Sequence, residues 1–99
     1  MSEDLAVLSQ EEAETKLGGL NVEWGLIGGY QLDRVYDFPD FKTALEFVNE
    51  VGDLAEEHNH HPDIELGWGK VVIHLTSHSA GGLTEADFDL ARTIDAMEA

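Results

Sequence analysis

Five histidines stand in this chain, and three of them, His58, His60 and His61, fall within four residues. The other two are His74 and His78. Imidazole is the side chain whose ordinary pKa lies nearest neutrality, so one ring can give a proton while another takes one. The chemistry on offer is general acid/base transfer. Glu56 precedes His60 by one helical turn and would favour its charged form. The negative end of a helix would do the same, whereas burial would oppose it. Two other readings stay open on the cluster alone. His-Asn-His-His could be a solvated helix end, or its spacings, with nearby carboxylates, could hold zinc or another divalent ion. The chain has no cysteine, so thiolate sites and disulfides are excluded.

These side chains need elements to aim them. Ser9 and Glu12 have capping-box spacing and predict a helix through Leu17, stopped at Gly18 and Gly19. Residues 20–26 alternate partly around Val22, Trp24 and Leu26, and residues 30–38 alternate more regularly. With Gly28 and Gly29 between them they predict a β-hairpin. Pro39 and Asp40 open a second helix whose apolar residues, Phe41, Ala44, Leu45, Val48, Val51, Gly52 and Ala55, form one stripe. Gly52 weakens it by about 1 kcal/mol unless close packing requires glycine there. Pro62 forbids helix at His61, so the helix ends near His60. Residues 63–68 and 70–77 predict two more strands around the Gly67-Trp68-Gly69 turn. On the latter strand Val71, Ile73 and Leu75 share one face, and Val72, His74, Thr76 and His78 the other. His78 thus lies where the strand enters a small-residue loop, Ser79 to Gly82. Thr84 to Asp87 then cap a third helix carrying Phe88, Leu90, Ala91, Ile94 and Met97. The order α-β-β-α-β-β-α predicts an α+β fold, a four-stranded antiparallel sheet with three helices on one face. It reads as a single domain over residues 1–99, of which 1–8 are a short lead.

The composition bounds the partners. Asp and Glu number 21 against 5 Lys and Arg, a formal net charge of -16, which repels nucleic acid and anionic membranes. The acids run from Glu3 to Glu98 instead of forming a tail, and lysine is confined to Lys16, Lys42 and Lys70. That distribution favours adaptation to molar salt over an acidic surface for a basic partner. No apolar run suits a membrane span and no signal-peptide pattern opens the chain, so a soluble, cytoplasmic protein is expected. A chain of 99 residues has a thin core, and self-association would bury more of it.

Together these residues resemble the pterin-4a-carbinolamine dehydratase family. The resemblance runs from about Ser9 to Met97 and is most specific in Glu56-x-x-x-His60-His61-Pro62. Trp68, His78 and the segment Gly82-Leu83-Thr84-Glu85-Ala86-Asp87 follow at family spacing. Trp24 and the run from Arg34 to Phe41 also resemble the family. The segment departs from the animal enzymes at His58 and Asn59, at Asp63-Ile64 and at Ala86, which concern the rim of the site. The resemblance implies dehydration of 4a-hydroxytetrahydropterin to quinonoid dihydropterin, with the product returned to the tetrahydro form by a reductase. It implies His60 and His78 as acid and base, and His61 as a third site residue that binds or orients the pterin. Glu56 and Asp87 would hold histidines, and Pro62 would fix the backbone that aims them. Trp24 and Ser77 would contribute to substrate binding. For Asp87 simple helix capping, and for Trp24 core packing, are the competing roles. No cofactor or metal is expected, because no electrons move and two histidines suffice. A homodimer or homotetramer is the implied assembly. Nothing in the sequence carries over the animal proteins' role as dimerisation cofactors of a transcription factor.

Overall fold

The computed structural model describes residues 6–98; most of the expected N-terminal lead, residues 1–5, lies outside them. Seven elements follow in the expected order: α1 Gln10–Leu17, β1 Gly25–Ile27, β2 Gln31–Asp37, α2 Phe41–His58, β3 Asp63–Leu66, β4 Lys70–Leu75 and α3 Glu85–Glu98. The four strands form one antiparallel sheet in the order β1-β2-β4-β3, so the two hairpins meet along β2 and β4. The capping box of α1 is complete: Glu12 N–H donates to Ser9 Oγ, and Ser9 N–H to Glu12 Oε1.

Strand alternation decides which face is buried. Leu32, Arg34 and Tyr36 of β2 point inward with Val71, Ile73 and Leu75 of β4. Phe88, Leu90, Ala91 and Ile94 of α3 close the core above them. On α2 the buried residues are Ala44, Phe47, Val51 and Ala55. This corrects the expected stripe. Phe47 turns inward to meet the rings of Tyr36 at 4.5 Å and Phe38 at 5.1 Å, which leaves Phe41 and Leu45 exposed. Open space surrounds Gly52, so no packing among the described residues requires glycine there.

The expected strand over residues 20–26 is also corrected: only Gly25–Ile27 pairs. Asn21 takes the preceding stretch out of the ladder. Its Oδ1 accepts from Glu23 N–H, its carbonyl from Trp24 N–H, and its own N–H donates to Asp95. A side chain that satisfies its own turn competes with strand pairing in this way. The partial alternation left Val22 almost wholly exposed.

Asp95 belongs to a second set of contacts that ties the C-terminal end of α3 to the sheet. Arg34, buried on β2, donates to Asp95 Oδ1 at 2.9 Å and to both carboxylate oxygens of Glu98 at 2.9 and 3.0 Å. Its guanidinium lies 4.3 Å from the Tyr36 ring. Burial, then the charge of Glu98, push the Tyr36 hydroxyl well above its ordinary pKa. Burial likewise raises Glu98, against the pull of Arg34. A paired, bidentate arginine can be buried where a lone charge cannot.

Helix α2 stops two residues earlier than proline alone would require. Asn59 adopts the left-handed conformation, φ 50° and ψ 41°, which asparagine tolerates better than most residues. Asn59 N–H then donates to Glu56 O and His60 N–H to Ala55 O, the paired bonds of a Schellman motif. His60, His61 and Pro62 form the link from this cap to β3.

Candidate active site

The site grows from the end of β4. Its alternation continues past Leu75, so Ser77 points inward and is buried, while Thr76 and His78 face out. Ser77 pairs with Gly82: Ser77 N–H donates to Gly82 O at 3.0 Å. That bridge pinches the loop carrying His78 to Gly81, whose positive φ of 83° glycine accommodates. The chain then enters α3 through Thr84.

Asp87, in the first turn of α3, is fully buried. Its Oδ1 accepts from His60 Nε2 at 2.6 Å. Its Oδ2 accepts from Ser77 Oγ at 2.8 Å and from Thr84 N–H at 2.9 Å. The expected alternatives for Asp87 therefore coexist in one carboxylate, with one oxygen capping α3 and the other meeting His60. A buried carboxylate needs such donors to stay charged. In the neutral His60 ring, donation from Nε2 leaves Nδ1 as the basic nitrogen.

The other histidines have different surroundings. His61 Nε2 meets Glu56 Oε2 at 2.6 Å, so Glu56 reaches His61 and not His60. His78 Nε2 lies 3.2 Å from Asp63 Oδ2, both side chains being exposed. An open cleft of about 300 Å³ has His60, His61, Thr76, Ser77 and His78 in its walls. Its size is at the lower end of small-molecule sites. His58 lies apart from it, with Thr93. Because the Thr93 hydroxyl donates to Asp89 O, it accepts from His58 Nε2. Among the described residues no three His, Asp or Glu side chains are placed to hold a metal ion.

His74 sits on the uncovered face of the sheet between two carboxylates. Nδ1 donates to Asp33 Oδ1 at 2.8 Å and Nε2 to Glu65 Oε2 at 2.6 Å. Burial works against the charged ring, but the bonds to Glu65 and Asp33 and their charges outweigh it and raise its pKa. A raised folded value stabilises the protein fully below the ordinary histidine value near ~6.5 and loses that contribution as pH rises through the folded value. His74→Gln should therefore lower the urea midpoint most near pH 5.5 and least near pH 9. Solvent access on this face limits the loss to about 1 kcal/mol. A deficit that grew with pH would refute the assignment.

The sequence profile described as pterin 4 alpha carbinolamine dehydratase matches residues 6–97. The chain belongs to that family. Provisionally named pterin-4-alpha-carbinolamine dehydratases include relatives from Roseiflexus sp. and Alkaliphilus metalliredigens. The first is 47% identical over 88 residues, 89% of this chain and 92% of the relative. The second is 42% identical over 91 residues, 92% of this chain and 82% of the relative. The fold is similar to a crystal structure described as a transcriptional coactivator/pterin dehydratase from Brucella melitensis. That likeness has a TM-score of 0.85 at 31% identity and covers 94% of this chain and 99% of that one. A pterin dehydratase-like protein identified as a RuBisCO assembly factor in the alpha-carboxysome is more distant, with TM-score 0.56 and 28% identity over 68% of this chain and 77% of that one.

Within this pterin-4a-carbinolamine dehydratase fold the residues singled out by resemblance do not all converge. His60, His61, Ser77 and His78 share the cleft, with Asp87 buried against His60 and Glu56 against the exposed His61. Trp24 lies elsewhere, 3% exposed in the core, its indole N–H donating to Asp95. Trp68 is exposed at the tip between β3 and β4. Thr84, expected as a cap of α3 within the family-like segment, is fully buried and its hydroxyl lies 2.9 Å from Ser77 Oγ. The signal for it was the parity of Ser77, which turns the end of β4 toward the start of α3.

Proposed function

We propose that this protein dehydrates 4a-hydroxytetrahydropterin to the quinonoid dihydropterin, the recycling step for a spent tetrahydropterin cofactor. The observation that carries the reading is the 2.6 Å contact between His60 Nε2 and the buried Asp87, at the wall of a cleft that also holds His61 and His78. The reaction breaks the C4a–O bond and an N–H bond of the adjacent ring nitrogen, forms a C=N bond and releases water. It needs one proton delivered to the leaving hydroxyl and one taken from nitrogen. With Asp87 fixing its Nε2–H, His60 offers Nδ1 as the acceptor. His78, also in the wall of the cleft, serves as the donor, and His61, held by Glu56, orients the pterin. Pro62 holds the link that aims both rings.

A second reading, a non-catalytic pterin- or protein-binding module, draws on the coactivator and assembly-factor descriptions attached to the two similar structures. The test is the dehydration of freshly generated 4a-hydroxytetrahydropterin followed by absorbance in molar potassium chloride. Acceleration over the spontaneous rate supports the enzyme. A folded protein that binds pterin without accelerating its dehydration supports the module.

Exposed Phe41 and Leu45 and the outer edge of β3, unpaired among the described residues, support self-association as a homodimer or homotetramer. No helix among the described residues is long and apolar enough to cross a membrane, in keeping with a cytoplasmic place of work. The charge of -16 supports a high-salt setting. Raising potassium chloride from 0.1 M to 2 M shortens the Debye length from about 10 Å to below about 3 Å and screens acidic self-repulsion. The urea midpoint should climb steadily across that range. A flat or falling midpoint would exclude the salt adaptation.

A further inference from the structure

We infer that Thr84 is a positioning residue for His60, acting through Ser77 and Asp87; the inference rests on the dehydratase reading only for its kinetic consequence. The argument begins with hydrogen counting. Ser77 has one hydroxyl proton, and the Asp87 carboxylate, which accepts only, receives it at 2.8 Å. The 2.9 Å contact between Ser77 Oγ and Thr84 Oγ1 must then be donated by Thr84. The result is a directed chain, Thr84 hydroxyl to Ser77 hydroxyl to Asp87 Oδ2, with His60 on Oδ1. Each donor in the series polarises the next.

Helix capping accounts for the oxygen of this hydroxyl and leaves its proton for another partner. In α1 and α2 the capping oxygens of Ser9 and Asp40 accept from the N3 amide at 3.0 and 2.8 Å. Thr84 Oγ1 instead accepts from the N2 amide, Ala86 N–H, at 3.3 Å, and the Asp87 amide goes to the Thr84 carbonyl. The carboxylate half of the box is kept, as Asp87 takes Thr84 N–H, while the Thr84 hydroxyl caps with its oxygen and gives its proton to Ser77. Thr84 and Asp87 are fully buried and Ser77 nearly so, and burying polar groups is costly unless each is satisfied. Every oxygen of the carboxylate is thereby committed, and His60 meets Asp87 in one geometry. A pair left to rotate would present His60 Nδ1 over a range of directions, which lowers the fraction of productive encounters.

The test compares Thr84→Val, which keeps the shape and removes the hydroxyl, with Thr84→Ser, which restores it. Thr84→Val should lower kcat roughly tenfold with KM within about twofold, and Thr84→Ser should recover most of kcat. In ¹⁵N-resolved NMR of the histidine rings, which needs no turnover, the His60 Nε2–H signal should be sharp in the wild type and in Thr84→Ser and broadened or lost in Thr84→Val. An unchanged His60 signal in a folded Thr84→Val protein would overturn the inference. So would equal kinetic losses in both variants. Should the valine variant not fold, the wild type decides: a slowly exchanging Thr84 hydroxyl proton is expected, and its absence overturns the chain. A wild type without dehydratase activity whose His60 signal still responds to Thr84 would sink the enzymatic reading and leave the positioning intact.

Discussion

Replacing His60 with alanine should lower kcat for pterin dehydration by about 10²-fold or more, and His78→Ala should do the same. The expectation follows from the cleft. His60 is the ring anchored to a buried carboxylate, and His78 stands on the loop that forms another wall. His58→Ala and His74→Ala are the matched controls and should leave turnover within about twofold of the parent. His58 is turned to Thr93 on α3, and His74 lies between Asp33 and Glu65 on the open sheet face. Steady-state rates of the four variants in molar salt, corrected for the spontaneous reaction, make the comparison. Losses of similar size in all four would remove the assignment of roles.

Asp87→Asn should damage both rate and stability. The carboxylate accepts from three donors: His60 Nε2–H, Ser77 O–H and Thr84 N–H. An asparagine side chain offers one accepting oxygen and two N–H donors. If its oxygen faces Ser77 and Thr84, its amino group meets His60 Nε2 and forces the proton onto Nδ1, the nitrogen that should take the substrate's proton. If its oxygen faces His60, two buried donors meet an amino group. Either arrangement leaves a mismatch worth about 2 kcal/mol. For a domain of this size that lowers the melting temperature by roughly 10 °C. The kinetic loss should reach about 10²-fold because the wrong ring nitrogen carries the proton. Melting by circular dichroism and the rate assay, run on the same preparation, separate the two effects. A variant as stable and as active as the parent would show that the His60–Asp87 contact is incidental.

Much of this architecture was legible from residue order. The alternations of residues 30–38 and 70–77 report burial directly, and the second helix's spacing does so at Ala44, Val51 and Ala55, because strand parity and helical spacing decide which side chains leave water. The failures have local causes. Asn21 bonds to its own turn and to Asp95, a partner 74 residues away, and neither contact is visible in an alternation count. Phe47 replaces the exposed Phe41 and Leu45 in the core because its aromatic partners, Tyr36 and Phe38, come from the preceding strand and its end. In the site, His-His-Pro and its carboxylates could be found, but the pairing could not. Glu56 is nearest His60 along a helix, yet the left-handed turn at Asn59 swings His60 toward Asp87 and leaves Glu56 to His61. Arg34 shared the inward parity of Leu32 and Tyr36, which already implied a buried charge needing partners.

The pinched neck at Ser77 and Gly82 has an engineering consequence. Because the backbone closes on itself there, Ser79 and Ala80, which lie beyond His78 and before the positive-φ Gly81, can change in length or composition without moving Ser77, Thr84 or Asp87. The fold thus separates a fixed proton-handling unit from an exchangeable rim, and insertions at Ser79–Ala80 offer a place to graft new substrate contacts or a reporter while His60 keeps its partner.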